Sequence, residues 1–195
     1  MILAIDPGIN GALALYDPDV EWLYTERLPT RWRMVNKKKK FELDLATLRA
    51  FIANRPLIDD VIVEQSTAMP GAGATSQFNY GRTIGQCEAL IVGMDLPLTC
   101  VSPVKWKTAL DVPSDKNRSR ERARKMFPHF AHRFQATASE GEGEAAMLAY
   151  YRFLVKTRAA MPELARANVK AVIAKVTQPA TAKRGPGRPP KKKAA

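Results

Sequence analysis

The chain has 195 residues, 46% of them hydrophobic, and a formal charge of +12. This composition suits one domain with a sizeable core plus an appendage, and the surplus of cations points to a polyanionic partner. Two cysteines without a C-x-x-C spacing exclude a disulfide framework and a cysteine zinc site, and no apolar run approaches the ~20 residues that span a bilayer. A reducing, cytoplasmic setting is expected, since Met1 runs straight into the first strand and leaves no room for a signal peptide.

Residues 2–15, ILAIDPGINGALAL, predict a buried strand, a tight turn at Asp6-Pro7-Gly8 and a second strand after Asn10-Gly11. A carboxylate at the end of an apolar strand, followed at once by a turn, is a poor core residue and a good metal ligand. Asp6 is therefore the first candidate. A third strand is expected over residues 21–28, with Trp22 as a large apolar payload; short turns make the three strands antiparallel neighbours. Residues 29–40 read as a basic loop with Arg31, Arg33 and Lys37 to Lys40, either solvated or touching phosphate.

Residues 44–54 predict a helix with Leu45, Leu48, Phe51 and Ile52 on one face. The next strand, residues 60–65, carries Glu64 at its end. A helix before it allows a parallel crossover, which sets the ends of both strands on one edge of the sheet. A small-residue loop over 66–76 leads into a long helix over 77–94, where Gly81, Gly85 and Ala89 form a smooth stripe, for packing on the sheet or for a seam with a second copy. A fifth strand is expected over 96–101 and a short helix with Trp106 over 103–110.

Residues 114–127 predict a basic helix, with Lys116, Arg118, Arg120, Arg122, Arg124 and Lys125 either solvated or on phosphate. His129 and His132 fall in a Pro-flanked connection and read as surface or packing residues, and Cys87 as small packing. A last core helix spans 138–155, and a further helix is expected over 163–175. Seven Lys/Arg and no acid lie in residues 175–195, leaving about +5 on the rest. From Thr177 on there is no large apolar side chain, so that segment should be disordered alone. The expected domains are 1–176 and a tail, 177–195.

Asp6 and Glu64, at strand ends, are joined by Glu140, Glu142 and Glu144. At 3.6 residues per turn Glu140 and Glu144 share a helix face and Glu142 points elsewhere. Acids that converge repel one another unless cations sit between them, and hard oxygen ligands imply Mg²⁺ or Mn²⁺. Two such ions can activate a water and stabilise the leaving oxygen in phosphodiester hydrolysis. The bland counterpart is a set of capping charges at a helix start.

Taken together, ILAIDPGINGALAL, VIVEQ, SQFNYGRTIGQCEAL, VSPVKWKTAL, SDKNRSRERARKMFP and EGEGEAAMLAYY resemble the RuvC family of Holliday junction resolvases, its phage branch above all. The resemblance spans roughly residues 2–153. It implies an α/β, RNase H-like fold: a five-stranded mixed sheet, three antiparallel strands then parallel ones, flanked by helices. It also implies a homodimeric two-metal endonuclease cutting branched DNA, four-way junctions above all, in the host cytoplasm if the chain is phage-encoded. By position it makes Asp6, Glu64 and Glu144 metal ligands; Gly141 stands three residues before Glu144, so the fourth ligand is either Glu140, one residue earlier, or absent. Lys107 and Lys116 fall in matching basic segments, Lys116 as active-site support. Phe78 and Tyr80 follow the loop that approaches the junction, with Arg82, Arg118 and Arg120 as further DNA contacts; Phe78 either stacks on an unpaired base or fills the core. Glu142 stands where relatives carry a basic residue.

The tail's KRGPGRPPKKK resembles an AT-hook around Gly187-Arg188-Pro189, with Arg184 beside it. An extended Gly-Arg-Pro backbone suits the narrow minor groove of AT-rich duplex; the alternative is a generic polybasic tail. Two other readings of the whole chain stand beside the resolvase: a non-catalytic DNA-binding protein on the same fold, and an RNA–DNA hybrid nuclease. An actin-like ATPase fails on length.

Overall fold

Strand β1 (Ile2–Ile5) is buried from end to end, and its alternation divides the core in two. Leu3 and Ile5 face one side of the sheet, Ile2 and Ala4 the other. This computed structural model describes residues 1–8, 10–35, 37–65, 71, 73–136 and 140–160, with Glu140 described by its backbone alone. The helix expected over 163–175, the 176/177 boundary and the basic tail with Arg184 and Arg188 lie outside these residues.

The central sheet has the order β3-β2-β1-β6-β7. Strands β2 (Ala12–Asp17) and β3 (Trp22–Arg27) continue from β1 as an antiparallel meander, while β6 (Asp60–Glu64) and β7 (Leu98–Val101) run parallel to β1. This mixed sheet with helices on both faces is the α/β, RNase H-like arrangement expected from the sequence.

Helices α1 (Leu45–Ala53) and α2 (Ala74–Val92) cover one face, where Leu48, Phe51, Ile52, Cys87 and Ile91 meet Leu3, Ile5, Leu13 and Val63. Helices α3 (Pro103–Ala109), α4 (Lys116–Met126) and α5 (Glu140–Ala160) cover the other. There the sheet offers Ala4, Ala12 and Ala14, and α5 offers Ala145, Ala146 and Ala149, so small residues on both sides let the helix lie close to the strands. Each large side chain fully buried in these layers contributes about 1.5–3 kcal/mol.

The helix starts follow their caps. Asp44 accepts from the Thr47 amide at 3.2 Å, and Asp115 from that of Arg118 at 2.9 Å. Ser102 caps α3, with Pro103 behind it. Helix α2 begins three residues earlier than the sequence suggested. A 3-10 helix (Pro128–Phe134), with Phe134 buried and both histidines exposed, occupies what read as a plain connection.

Three expectations are corrected. Residues 29–40 are no loop: β4 (Thr30–Val35) and β5 (Lys38–Leu43) form a separate antiparallel hairpin. The unbroken run Lys37 to Lys40 hid the period of two that Arg31-Trp32-Arg33-Met34 begins. Trp22 is 41% exposed and stacks on Tyr24, because the face they share on edge strand β3 is only partly covered by Phe51. The small-residue stripe of α2 does not pack on the sheet: a Cβ at Gly81 or Gly85 would meet nothing within 4 Å, while Ile84, Cys87 and Ile91 make the sheet contact. Among the described residues, no helix is long and apolar enough to cross a membrane.

Candidate active site

Ile5 pairs with Val63 in the parallel register of β1 and β6, so Asp6 and Glu64 stand side by side one residue further along. The turn after β1 is tight. The Gly8 amide donates to Asp6 Oδ1 at 3.1 Å, and the Gly11 amide to the Gly8 carbonyl at 2.8 Å. A Cβ at Gly11 would lie 2.0 Å from the Asp6 carbonyl oxygen, so only glycine lets the chain close the turn.

Glu64 is buried, 9% exposed, and its Oε2 accepts a 2.7 Å hydrogen bond from the Trp106 indole Nε1. Burial pushes its carboxyl up to about 7, and the neighbouring Asp6 charge adds to the shift. The Trp106 N–H and the Lys107 ammonium oppose that shift, while Glu144 adds to it. Trp106 is itself fully buried, so the indole is a fixed donor held by α3.

Glu144 lies in the second turn of α5. Lys107 Nζ donates to its Oε1 at 2.9 Å and its Oε2 at 2.8 Å, and Ser119 Oγ of α4 donates to Oε1 at 3.2 Å. The start of α5 is pressed onto the β1–β2 turn: a Cβ at Gly141 would lie 2.5 Å from the Asn10 carbonyl oxygen. Position 141 therefore has no room for a carboxylate, and its being glycine follows from this close approach. Glu142 points away from the other acids, as the helical period predicts. It accepts from buried Thr25 Oγ1 at 2.7 Å, while Arg133 Nη2 donates to the Thr25 carbonyl at 3.0 Å.

These donors are hard oxygens only, and Glu64 among them is buried, with its carboxyl raised by burial and by the Asp6 charge. That chemistry fits Mg²⁺ or Mn²⁺. Among the described residues, no three acid, histidine or cysteine side chains are grouped closely enough to hold an ion, and Glu144 places both oxygens on Lys107. Glu140 is the first residue of α5, and its side chain lies outside the described residues.

The remaining predicted residues are spread over the surface. Lys116 and Arg118 are exposed in the first turn of α4, just before Ser119, and Arg120 donates to Asn117. Phe78 is 71% exposed on the first turns of α2, which overturns its reading as a core residue; Tyr80 is half-buried. Arg82 points to Glu42 of the hairpin at 3.7 Å. Sequence reasoning gave no site role to Trp106, Ser119, Gly141 or Thr25. An indole three residues beyond a Ser-Pro cap carries no motif of its own; only the fold brings it to Glu64.

No family model and no curated protein matches the chain. Among solved structures it is similar to a T. thermophilus RuvC in complex with a Holliday junction substrate, with a TM-score of 0.49 and 13% identity. It is also similar to the Thermus thermophilus RuvC structure, with a TM-score of 0.47 and 16% identity. Both likenesses cover 80% of this chain and 95% of the other.

Proposed function

We propose that this chain is a divalent-metal-dependent DNA endonuclease that cuts branched DNA, four-way junctions above all, as a homodimer. One observation carries the reading: carboxylates from three separate elements, Asp6 after β1, Glu64 ending β6 and Glu144 in α5, lie in one electrostatic neighbourhood beside Lys107. In a chain of charge +12, acids held together at a sheet edge weaken binding to phosphate unless they serve chemistry.

Asp6 and Glu64, with Glu144 and Glu140, would hold Mg²⁺ or Mn²⁺, two ions per site. Bound there, the ions supply Lewis acidity toward a phosphodiester and a more acidic water. The chain's own residues do the rest. Trp106 fixes one oxygen of Glu64. Ser119 and Lys107 orient Glu144, and the Lys107 ammonium adds positive charge where a phosphate would approach. Lys116, Arg118 and Arg120 offer counter-charge to flanking phosphates, and exposed Phe78 offers a ring to an unpaired base. The dimer reading is supported by the open stripe at Gly81 and Gly85, where an added Cβ would meet nothing within 4 Å. The tail would add local DNA concentration through AT-rich duplex rather than chemistry.

The test is cleavage of a labelled four-way junction beside linear duplex, single strand and RNA–DNA hybrid, with Mg²⁺, Mn²⁺ or EDTA. Paired, metal-dependent nicks across the junction that vanish in Asp6→Asn, with junction binding retained, are the expected outcome. Faster digestion of the hybrid would transfer the activity to that substrate. Tight junction binding without cutting in any metal would make the chain a DNA-binding module.

A further inference from the structure

The β4–β5 hairpin stands apart from the central sheet. A two-stranded ribbon is marginal on its own. This one is tied down at its base, where Leu43 is buried and the Asp44 amide donates to the Pro29 carbonyl at 2.8 Å. Arg82 of α2 reaches Glu42 beside that base at 3.7 Å, while residues 31–34 and 37–41 are exposed, with Lys37 in the left-handed region at φ 60° in the turn.

Its two faces differ. Trp32 sits directly opposite Phe41 and Met34 opposite Lys39, so these four share one face. Trp32, Phe41 and Met34 are 57%, 57% and 55% exposed, and Lys39 Nζ lies 4.8 Å from the centre of the Trp32 ring. On the other face Glu42 pairs with Arg31 at 3.1 Å and Arg33 at 2.8 Å, leaving Lys38 and Lys40 beside them. The single acid thus occupies the two arginines, while Lys39 lies on the aromatic face and Lys38 and Lys40 stand on the face behind it.

Three large apolar side chains exposed side by side on so small a ribbon call for an occupant. Lys39 over the Trp32 ring, with Lys38 and Lys40 next to it along the strand, selects against a basic or purely apolar partner and for a polyanion with flat apolar faces. We propose that this hairpin is a single-strand clamp: Trp32 and Phe41 stack on unpaired bases while Lys38, Lys39 and Lys40 meet the adjoining phosphates. Every base has a π-face, so the contact is tolerant of sequence and prefers unpaired strands to intact duplex. The inference rests on the nucleic-acid reading above and extends it to a second surface, on an element that contributes none of the carboxylates.

The test is binding of the full chain to a fluorescein-labelled oligothymidylate and to a blunt duplex, by anisotropy in EDTA over a range of salt. Trp32→Ala with Phe41→Ala should weaken single-strand binding about tenfold or more, with little change for duplex and no change in the salt slope. Lys38→Ala with Lys40→Ala should weaken binding and flatten the salt slope. Trp32→Tyr with Phe41→Tyr should retain most of the affinity, which separates stacking from a folding defect. Single-strand binding unmoved by the alanine pair would overturn the clamp. So would a blue-shifted tryptophan emission on phosphatidylcholine–phosphatidylglycerol vesicles combined with indifference to oligothymidylate. A chain that cuts no junction, yet binds oligothymidylate through Trp32 and Phe41, would keep the clamp and sink the nuclease. Junction cutting with binding independent of the rings would do the reverse.

Discussion

Strand β6 begins and ends on a buried carboxylate, and the chain treats the two in opposite ways. Asp60, 1% exposed, receives Arg152 through Nε at 3.0 Å and Nη2 at 3.1 Å, and Lys156 at 3.0 Å. Glu64, at the other end, receives one neutral indole N–H, and the Lys107 charge that acts on it is shared with two further acids. Both burials cost solvation. At Asp60 the fold itself supplies the cations, and the result fastens α5 to the sheet. At Glu64 the compensation is incomplete, the carboxyl rises to about 7, and the site gains by acquiring positive charge from outside.

The comparison can be broken at either end. The largest expected effect is on cleavage. Glu64→Gln should reduce junction cutting more than about a hundredfold, since loss of a direct ligand should exceed the roughly 10–100-fold cost of losing an outer partner. The same change should leave metal-free thermal stability equal or higher, because it removes a strained acid. Arg152→Ala should do the converse. Stranding Asp60 should cost about 2–4 kcal/mol, somewhat under the usual figure for a broken buried pair because Lys156 remains, while cutting by the folded fraction stays near normal. Urea unfolding checks the first half and single-turnover cleavage the second.

A third effect is pH-dependent. The folded protein holds the Glu64 proton from near the ordinary 4.5 up to about 7, where the unfolded chain has already released it. Stability from this group is therefore full below the lower value and falls as pH rises through that window, by up to about 3 kcal/mol. The difference between wild type and Glu64→Gln in EDTA, melted across pH, isolates it; a difference that does not change with pH would refute the shift. The smallest expected effect is at Trp106. Trp106→Phe keeps most of the packing but withdraws the N–H that favours ionised Glu64, so the acid limb of the cutting profile should move to higher pH.

Much of this was legible in residues 2–15 and 60–65. Apolar runs that end on a carboxylate place Asp6 and Glu64, and a helix between strands makes them parallel and adjacent. The hairpin was not legible as strands, because the short alternation of Arg31-Trp32-Arg33-Met34 runs into four successive lysines that read as a loop, and only pairing reveals Trp32 opposite Phe41. Nor was the orientation of the α2 stripe, since glycine spacing gives a helix face but not its direction. The partners of the acids were hidden for a third reason. Trp106, Ser119 and Gly141 act through contacts between elements far apart in sequence, where spacing carries no signal.

The measurement that bears most directly on the contrast between the two ends of β6 is thermal melting at neutral pH with increasing Mn²⁺, wild type beside Asp6→Asn and Glu64→Gln. Binding to the folded state alone raises the midpoint with metal concentration. A metal-dependent rise in the wild type that both variants lose is the expected result. A midpoint indifferent to Mn²⁺, or one that rises equally in all three, would contradict the claim that the Glu64 end of the strand is built to take a cation.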